Sequence, residues 1–138
     1  MTPFPLKIVT PDGLVYDGQA EELIVRTVAG DLGILAGHMN CVAPLGMGCA
    51  TVLIDGQKRF GACIGGMLSV VNGCATLVPT TFEWAEDIDA ERAERAHAQA
   101  QQILSDKTSG ENDLRMAKAR LKRALVRKSV LEQIYTRS

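Results

Sequence analysis

The residues with most chemistry to offer lie in the last third of the chain. Between Leu114 and Ser138, Arg115, Lys118, Arg120, Lys122, Arg123, Arg127, Lys128 and Arg137 stand against one acid, Glu132. Just upstream, Glu86 to Glu94 carries Glu86, Asp87, Asp89, Glu91 and Glu94 against Arg92 alone. Guanidinium forks suit the oxygens of carboxylates and phosphates. The bases recur around several sides of a helix, so they cannot all face one partner. Three readings stay open: a solvated helix face, an acidic protein partner, and nucleic acid. Nucleic acid lacks its usual support, because no aromatic is interleaved with the run from Arg115 to Lys128.

Elsewhere the chain is poor in catalytic groups. It has no Gly-x-Ser-x-Gly, no Gly-Lys-Ser/Thr phosphate loop and no His-Glu-x-x-His. His38 has no second titratable group near it in sequence to tune its pKa, so it reads as a hydrogen-bonded loop residue rather than a base. Cys41, Cys49, Cys63 and Cys74 lie 8, 14 and 11 positions apart, with no close pair to start a tetrahedral metal site. They read as small buried thiols, and no metal is expected. No nucleophile, base and orienting group can be assembled, which argues against an enzyme.

The elements that must carry these residues change character at Ile88-Asp89-Ala90-Glu91-Arg92-Ala93. With 138 residues, 46% of them hydrophobic and a net charge of -1, the chain has room for one substantial core and an appendage. Before Glu86 the sequence is strand-like. Leu6 to Thr10 is closed by Pro11-Asp12-Gly13, and Glu22 to Val28 alternates with period two. Asp55-Gly56 and Asn72-Gly73 are hairpin turns, each between β-branched and apolar flanks. The expectation for residues 1–85 is an antiparallel β sandwich or barrel of roughly eight to ten strands, with no helix longer than a turn. Leu32 to Ile54 has no charged residue, but its glycines, Pro44, His38 and Asn40 make it strands and turns rather than a membrane span. Because Leu6 to Thr10 reads as a strand and no basic, then apolar, leader opens the chain, it is expected to be made and kept in the cytosol.

After Ile88 the spacing turns helical. Asp89 can cap a helix running to about Leu104 with the seam Ala93, Ala96, Ala100 and Ile103. Ser105 to Asn112 reads as a turn. Asp113 then reads as the cap of a second helix with the seam Leu114, Ala117, Leu121, Ala124 and Leu131, interrupted by Lys128. Residues 86–138 thus form an antiparallel two-helix hairpin. Its contact is largely alanine, so it should be marginal and detachable, which gives it scope for regulation.

Thr10-Pro11-Asp12-Gly13, Gly30-Asp31-Leu32-Gly33-Ile34-Leu35-Ala36-Gly37-His38, Val42-Ala43-Pro44-Leu45, Gly65-Gly66-Met67-Leu68-Ser69-Val70 and Ala85-Glu86-Asp87-Ile88-Asp89 occur in the order and spacing of the epsilon subunit of bacterial and chloroplast F-type ATP synthases. The resemblance runs from Leu6 to about Val130. It implies that residues 1–85 form an antiparallel β sandwich of about ten strands docked on the foot of the gamma shaft and on the ring of membrane c subunits. It also implies a hairpin that can rise along gamma and block hydrolysis by meeting an acidic segment of a catalytic beta subunit. By the same likeness Asp31 and His38 lie in a loop that docks gamma and the c-ring, and Arg115, Lys118 and Lys122 carry the beta contact. The protein would be a non-catalytic rotor subunit of a proton- or sodium-translocating synthase. It would sit peripherally on the cytoplasmic face of a bacterial plasma membrane (alternatively the stromal face of a thylakoid), touching the membrane only through the complex and binding no nucleic acid.

Ile88-Asp89-Ala90-Glu91-Arg92-Ala93 is also similar to the Ile/Leu-Asp-x-x-Arg-Ala motif with which some epsilon subunits bind ATP, although a capped helix start satisfies the same residues. Glu83 lies at the matching upstream position, and Arg123 and Arg127 match two basic positions of the second helix. The implied regulatory ligand is ATP, held by Glu83, Ile88, Asp89, Arg92, Ala93, Arg123 and Arg127, with no cofactor required. Gln99 departs from the pattern, standing where nucleotide-binding members have an Arg, and would weaken the site. The rival from another class is a free-standing β-sandwich ligand-binding protein whose basic tail engages nucleic acid or another polyanion.

Overall fold

The computed structural model describes the backbone of residues 1–137 and the side chains of residues 1–133; Ser138 and the side chain of Tyr135 lie outside the described residues. Two compact units divide the chain, Met1–Trp84 and Ala85–Ser138.

The first unit is built from ten strands: β1 (Phe4–Thr10), β2 (Gly13–Ala20), β3 (Glu22–Thr27), β4 (Gly30–Ile34), β5 (Cys41–Pro44), β6 (Met47–Ile54), β7 (Gln57–Ile64), β8 (Met67–Val71), β9 (Cys74–Val78) and β10 (Thr81–Trp84). They form two five-stranded sheets, in the orders β2-β1-β9-β8-β5 and β10-β7-β6-β3-β4. Pairing is antiparallel except between β1 and β9, which run parallel with Leu6 opposite Ala75 and Ile8 opposite Leu77. Period-two alternation selects the core: Leu6, Ile8, Leu23, Val25, Ile34, Val52, Leu68, Val70 and Leu77 are all buried between the sheets.

Turn chemistry fixes the register. Asp55 and Gly56 (φ 50° and 76°) and Asn72 and Gly73 (φ 49° and 80°) take the paired positive φ angles of two-residue hairpins. Two other turns use a threonine. The Thr10 hydroxyl donates to the Gly13 carbonyl and accepts from the Asp12 N–H; Thr27 does the same with Gly30 and Ala29. These are the buried polar residues of the sandwich, and both are satisfied. At one end of the sandwich Trp84 meets Phe82 and Tyr16 edge to face at 4.9 and 6.3 Å, with the Arg59 guanidinium 3.7 Å above its ring.

The four thiols do not share one environment. Cys63 is buried, Cys41 and Cys49 are half-buried and Cys74 is exposed, which corrects the expectation of uniformly buried cysteines. Cys74 is the first residue after a hairpin turn and falls on the outward phase of β9. Burial, with a lesser contribution from Cys49, pushes the Cys63 thiol up to about 12.

The second unit opens with a 3-10 turn, Ala85–Asp87, followed by α1 (Ala90–Ser105) and α2 (Glu111–Arg137). Asp89 is the N-cap of α1, its carboxylate accepting from the Arg92 N–H at 3.1 Å. The linker is tightly bonded. The Asp106 carboxylate accepts from the Thr108 N–H at 2.9 Å and from its hydroxyl at 2.7 Å, contacts that hold the Asp106 carboxyl below its ordinary range. The Ser109 hydroxyl donates to the Ile103 carbonyl at 2.9 Å, closing the end of α1. Asp113 is not the cap of α2. The Leu114 N–H already donates to the Gly110 carbonyl, so the helix begins at Glu111 and Asp113 falls in its first turn.

One glycine is held by geometry rather than by flexibility. Gly66 has φ 92°, and a Cβ there would sit 2.0 Å from the Val78 carbonyl oxygen. Gly66→Ala is therefore expected to cost the sandwich more than about 2 kcal/mol, because strain and clash add. Gly56→Ala, with nothing within 4 Å of the added carbon, should cost about 1 kcal/mol. Urea unfolding followed by Trp84 fluorescence compares the two.

Candidate functional site

Two surfaces carry groups that could engage something else, one on each unit. On the sandwich, one end of a sheet's outer face exposes a group of large apolar residues. Register places Pro44, Met67 and Val78 in a row across β5, β8 and β9, with Val71 opposite Cys74 two same-face steps along and Val42, Ser69 and Thr76 in the row between. Val42 is 67% exposed, Val71 51%, Val78 45% and Met67 42%, so this face exposes several large apolar side chains around the hydroxyls of Ser69 and Thr76. The outward phases of β8 and β9 also hold the paired Ser69 and Thr76, so alternation in the sequence does not by itself mark the face.

Asp31 and His38 lie outside that row. Asp31 is in strand β4 rather than in a loop, opposite Arg26 of β3, and accepts from the Arg26 Nε at 2.6 Å. Arg26 is in turn held over Gly48, where a Cβ would come within 2.6 Å of the Arg26 Cβ. His38 follows β4 in a turn, its N–H donating to the Leu35 carbonyl and its Nδ1 donating to the Met39 carbonyl at 2.8 Å. The next residue but one, Asn40, accepts the Asn72 N–H at 2.8 Å and pins this loop to the β8–β9 turn.

On the hairpin, Ala93 and Ala100 of α1 and Ala117 and Ala124 of α2 are buried, while Ala96, Ile103, Leu114 and Leu121 are half-buried. Beyond Ala124 the buried residue is Val130 rather than Leu131. Lys128, which breaks the seam, reaches across to Glu94 at 3.1 Å and ties the helices by charge. Arg115, Lys118 and Lys122 share one exposed face of α2 at i, i+3 and i+7, and Arg115 donates to the Asn112 side chain.

Of the residues expected at a nucleotide site, Asp89 and Arg92 are joined by the cap, Ile88 and Ala93 are buried, and Arg123 and Arg127 lie half-buried one turn apart on α2. Glu83 belongs to β10 of the other unit, opposite Ala62. A cleft of about 380 Å³ between α1 and α2 is lined by Arg92, Arg95, Ala96, Gln99, Ala100, Ile103 and Arg120. Only Arg92 is common to the cleft and the expected set. Arg95 follows Arg92 by three positions on α1, a spacing the sequence shows, whereas Arg120 joins them only through the register of the hairpin. Among the described residues no group of His, Cys, Asp and Glu could hold a metal ion, and no helix is long and apolar enough to cross a membrane.

A β sandwich of two five-stranded sheets followed by a long-helix hairpin is a two-domain pattern, and both domains match family models. Residues 3–85 match the ATP synthase delta/epsilon chain β-sandwich domain and residues 86–132 the long α-helix domain, so the chain belongs to that family. Its relatives within the family are epsilon chains of ATP synthase, subunits that are not themselves catalytic. It is 44% identical to the epsilon chain of Bacillus velezensis over 91% of this chain and 94% of that one. It is 35% identical to that of Caldicellulosiruptor bescii over 96% of each. Among solved structures, a chain of the Euglena gracilis mitochondrial ATP synthase superposes with a TM-score of 0.83 at 22% identity, over 95% of this chain and 82% of that one. A chain of the Tetrahymena thermophila mitochondrial enzyme gives a TM-score of 0.58 at 11% identity, over 92% and 95%. At those identities the likeness is one of fold.

If the Glu94–Lys128 pair substitutes for a missing apolar contact, restoring that contact should tighten the hairpin. Lys128→Leu is expected to raise amide protection in α1 by about 1 kcal/mol of opening free energy, measured by hydrogen exchange on the full chain.

Proposed function

We propose that the protein is a rotor subunit of the central stalk, coupling the gamma shaft to the ring of c subunits through its sandwich and restraining ATP hydrolysis through its helical hairpin. The observation that carries this reading is the contrast between the two units. The sandwich has a continuous core and turns fixed by their own chemistry, as a coupling element needs. Between its helices the hairpin buries mainly alanines, and the Glu94–Lys128 pair that ties them lies open to solvent, as a movable element needs. The apolar outer row of Pro44, Met67 and Val78 supplies a docking face of the kind that a permanent partner covers. Asp31 and His38 flank the assembly contacts. In this role the protein sits peripherally at the cytoplasmic face of the membrane, held by the complex.

In the raised state the face of Arg115, Lys118 and Lys122 meets an acidic segment of a catalytic beta subunit. In the compact state ATP binds near the start of α1, with Asp89 accepting from an exocyclic amine and Arg92, Arg123 and Arg127 on the phosphates, while Ile88 and Ala93 complete the part of the site that the hairpin supplies. ATP then favours the compact state because it binds that state and not the other.

Removal of residues 88–138 separates the two roles. The truncated subunit in the assembled synthase should leave ATP synthesis in place and raise ATP hydrolysis; unchanged hydrolysis would remove the inhibitory role. For the nucleotide, millimolar ATP added to the full chain should shift the backbone resonances of α1 and α2, and Arg92→Ala should lose most of that shift. An Arg92→Ala protein that titrates like the parent ends the ATP reading.

A further inference from the structure

The turn that leads into β5 gathers three metal-ligating side chains within four residues: the imidazole of His38, the thioether of Met39 and the thiol of Cys41. The Cys41 Sγ lies 4.0 Å from the His38 Nδ1, and both residues are half-buried. Met39 is 77% exposed, and its three rotatable bonds let the sulfur swing over the pair. The backbone around them is pinned. The His38 N–H donates to the Leu35 carbonyl, and the Asn40 side chain accepts the Asn72 N–H at 2.8 Å. Among the described residues no three of His, Cys, Asp and Glu gather, so a centre built from those types alone is absent and the thioether is needed as the third donor. Cysteine spacing does not show such a site, because two of its donors are not cysteines.

The separation of sulfur and nitrogen says which kind of ion fits. Bonds of about 2.3 Å from sulfur and about 2.0 Å from nitrogen put the two atoms about 3.5 Å apart at a tetrahedral ion, about 3.7 Å at a trigonal one and about 4.3 Å at a linear one. The observed 4.0 Å lies between the last two. Thiolate and thioether donors select soft ions such as copper(I), whereas zinc(II) demands a fourth ligand in a closed site. A thiolate with a monovalent ion is also neutral as a pair, which keeps the cost of half-burying it low.

We propose that His38, Met39 and Cys41 form a three-donor site for copper(I). The Cys41 thiol gives its proton to solvent as the S–Cu bond forms, the copper stays in the +1 state, and no electron is transferred. The His38 Nδ1, which now donates to the Met39 carbonyl in an exposed contact at 2.8 Å, turns its lone pair to the ion while the ring keeps its proton on Nε2. Water takes over at the carbonyl. The inference concerns the chain by itself and does not rest on the rotor reading.

Anaerobic titration of the full chain into the bis(bicinchoninate)copper(I) complex tests it. The parent should withdraw one copper per chain. Cys41→Ser should weaken its hold at least about thirtyfold, His38→Gln at least about tenfold and Met39→Leu at least about threefold. Cys74→Ser, which removes the exposed thiol, should change it less than twofold. If Cys74→Ser weakens binding as much as Cys41→Ser, the copper sits on any accessible thiol and the site is overturned. A Met39→Leu chain that competes like the parent, or a parent that withdraws no copper, also overturns it. Copper(I) is diamagnetic, so proton–nitrogen correlation spectra of the parent imidazoles give a reading that needs no variant. One equivalent should move the His38 ring proton from Nδ1 to Nε2 and leave the other histidine, His97, unchanged; an unmoved His38 refutes the assignment. Urea unfolding of each variant without copper separates lost binding from lost fold.

Discussion

Where α1 meets α2, the buried residues are Ala93, Ala100, Ala117 and Ala124, and each contributes one methyl group. At about 0.8 kcal/mol per buried carbon, such a contact gives only a few kcal/mol in all, a fraction of what the same number of leucines would give. Alanine also lets two backbones approach closely and favours helix in each segment taken separately. The two properties together describe rods that stay helical whether or not they touch. Everything distinctive about the second unit follows from that weak glue, including its dependence on the Glu94–Lys128 ion pair and on the bonded linker at Asp106 and Ser109.

Charge is distributed on α2 in keeping with this. Its outer face carries Arg115, Lys118 and Lys122 in water, where their repulsion is screened. Its inner edge carries Arg120 toward the cleft and Lys128 toward Glu94. A single basic helix therefore presents different cations to different neighbours. This answers the difficulty that bases on several sides of a rod cannot serve one partner.

Much of the fold was legible because its signals are local. Positive φ at Asn72-Gly73 and Asp55-Gly56 depends on two residues, and the cap at Asp89 on three or four. The strands and the helix seam needed only their periods. What was misread depends on register or on competition between similar residues. Asp31 looked like a loop acid because its partner Arg26 is identified only by the pairing of β3 with β4. Asp113 was read as the cap because it directly precedes the apolar seam, but the bond from the Leu114 N–H to the Gly110 carbonyl puts the start of the helix earlier in the polar linker. The exposure of Cys74 depends on which phase of β9 faces outward. The outer apolar row was illegible because its residues are neighbours only across strands, and the cleft because Arg120 joins Arg92 and Arg95 only across helices.

The parallel pairing of β1 with β9 has a consequence for how the protein is made. The first strand to leave the ribosome has an open edge until residues 74–78 have been synthesised, and its core residues Leu6 and Ile8 find Ala75 and Leu77 only then. The sandwich is thus closed late in translation by a contact of long sequence separation, whereas the hairpin needs only its own short linker and can form as soon as it emerges. A nascent chain arrested before Val78 would present hydrophobic strands without their neighbour, the kind of surface on which incomplete chains aggregate.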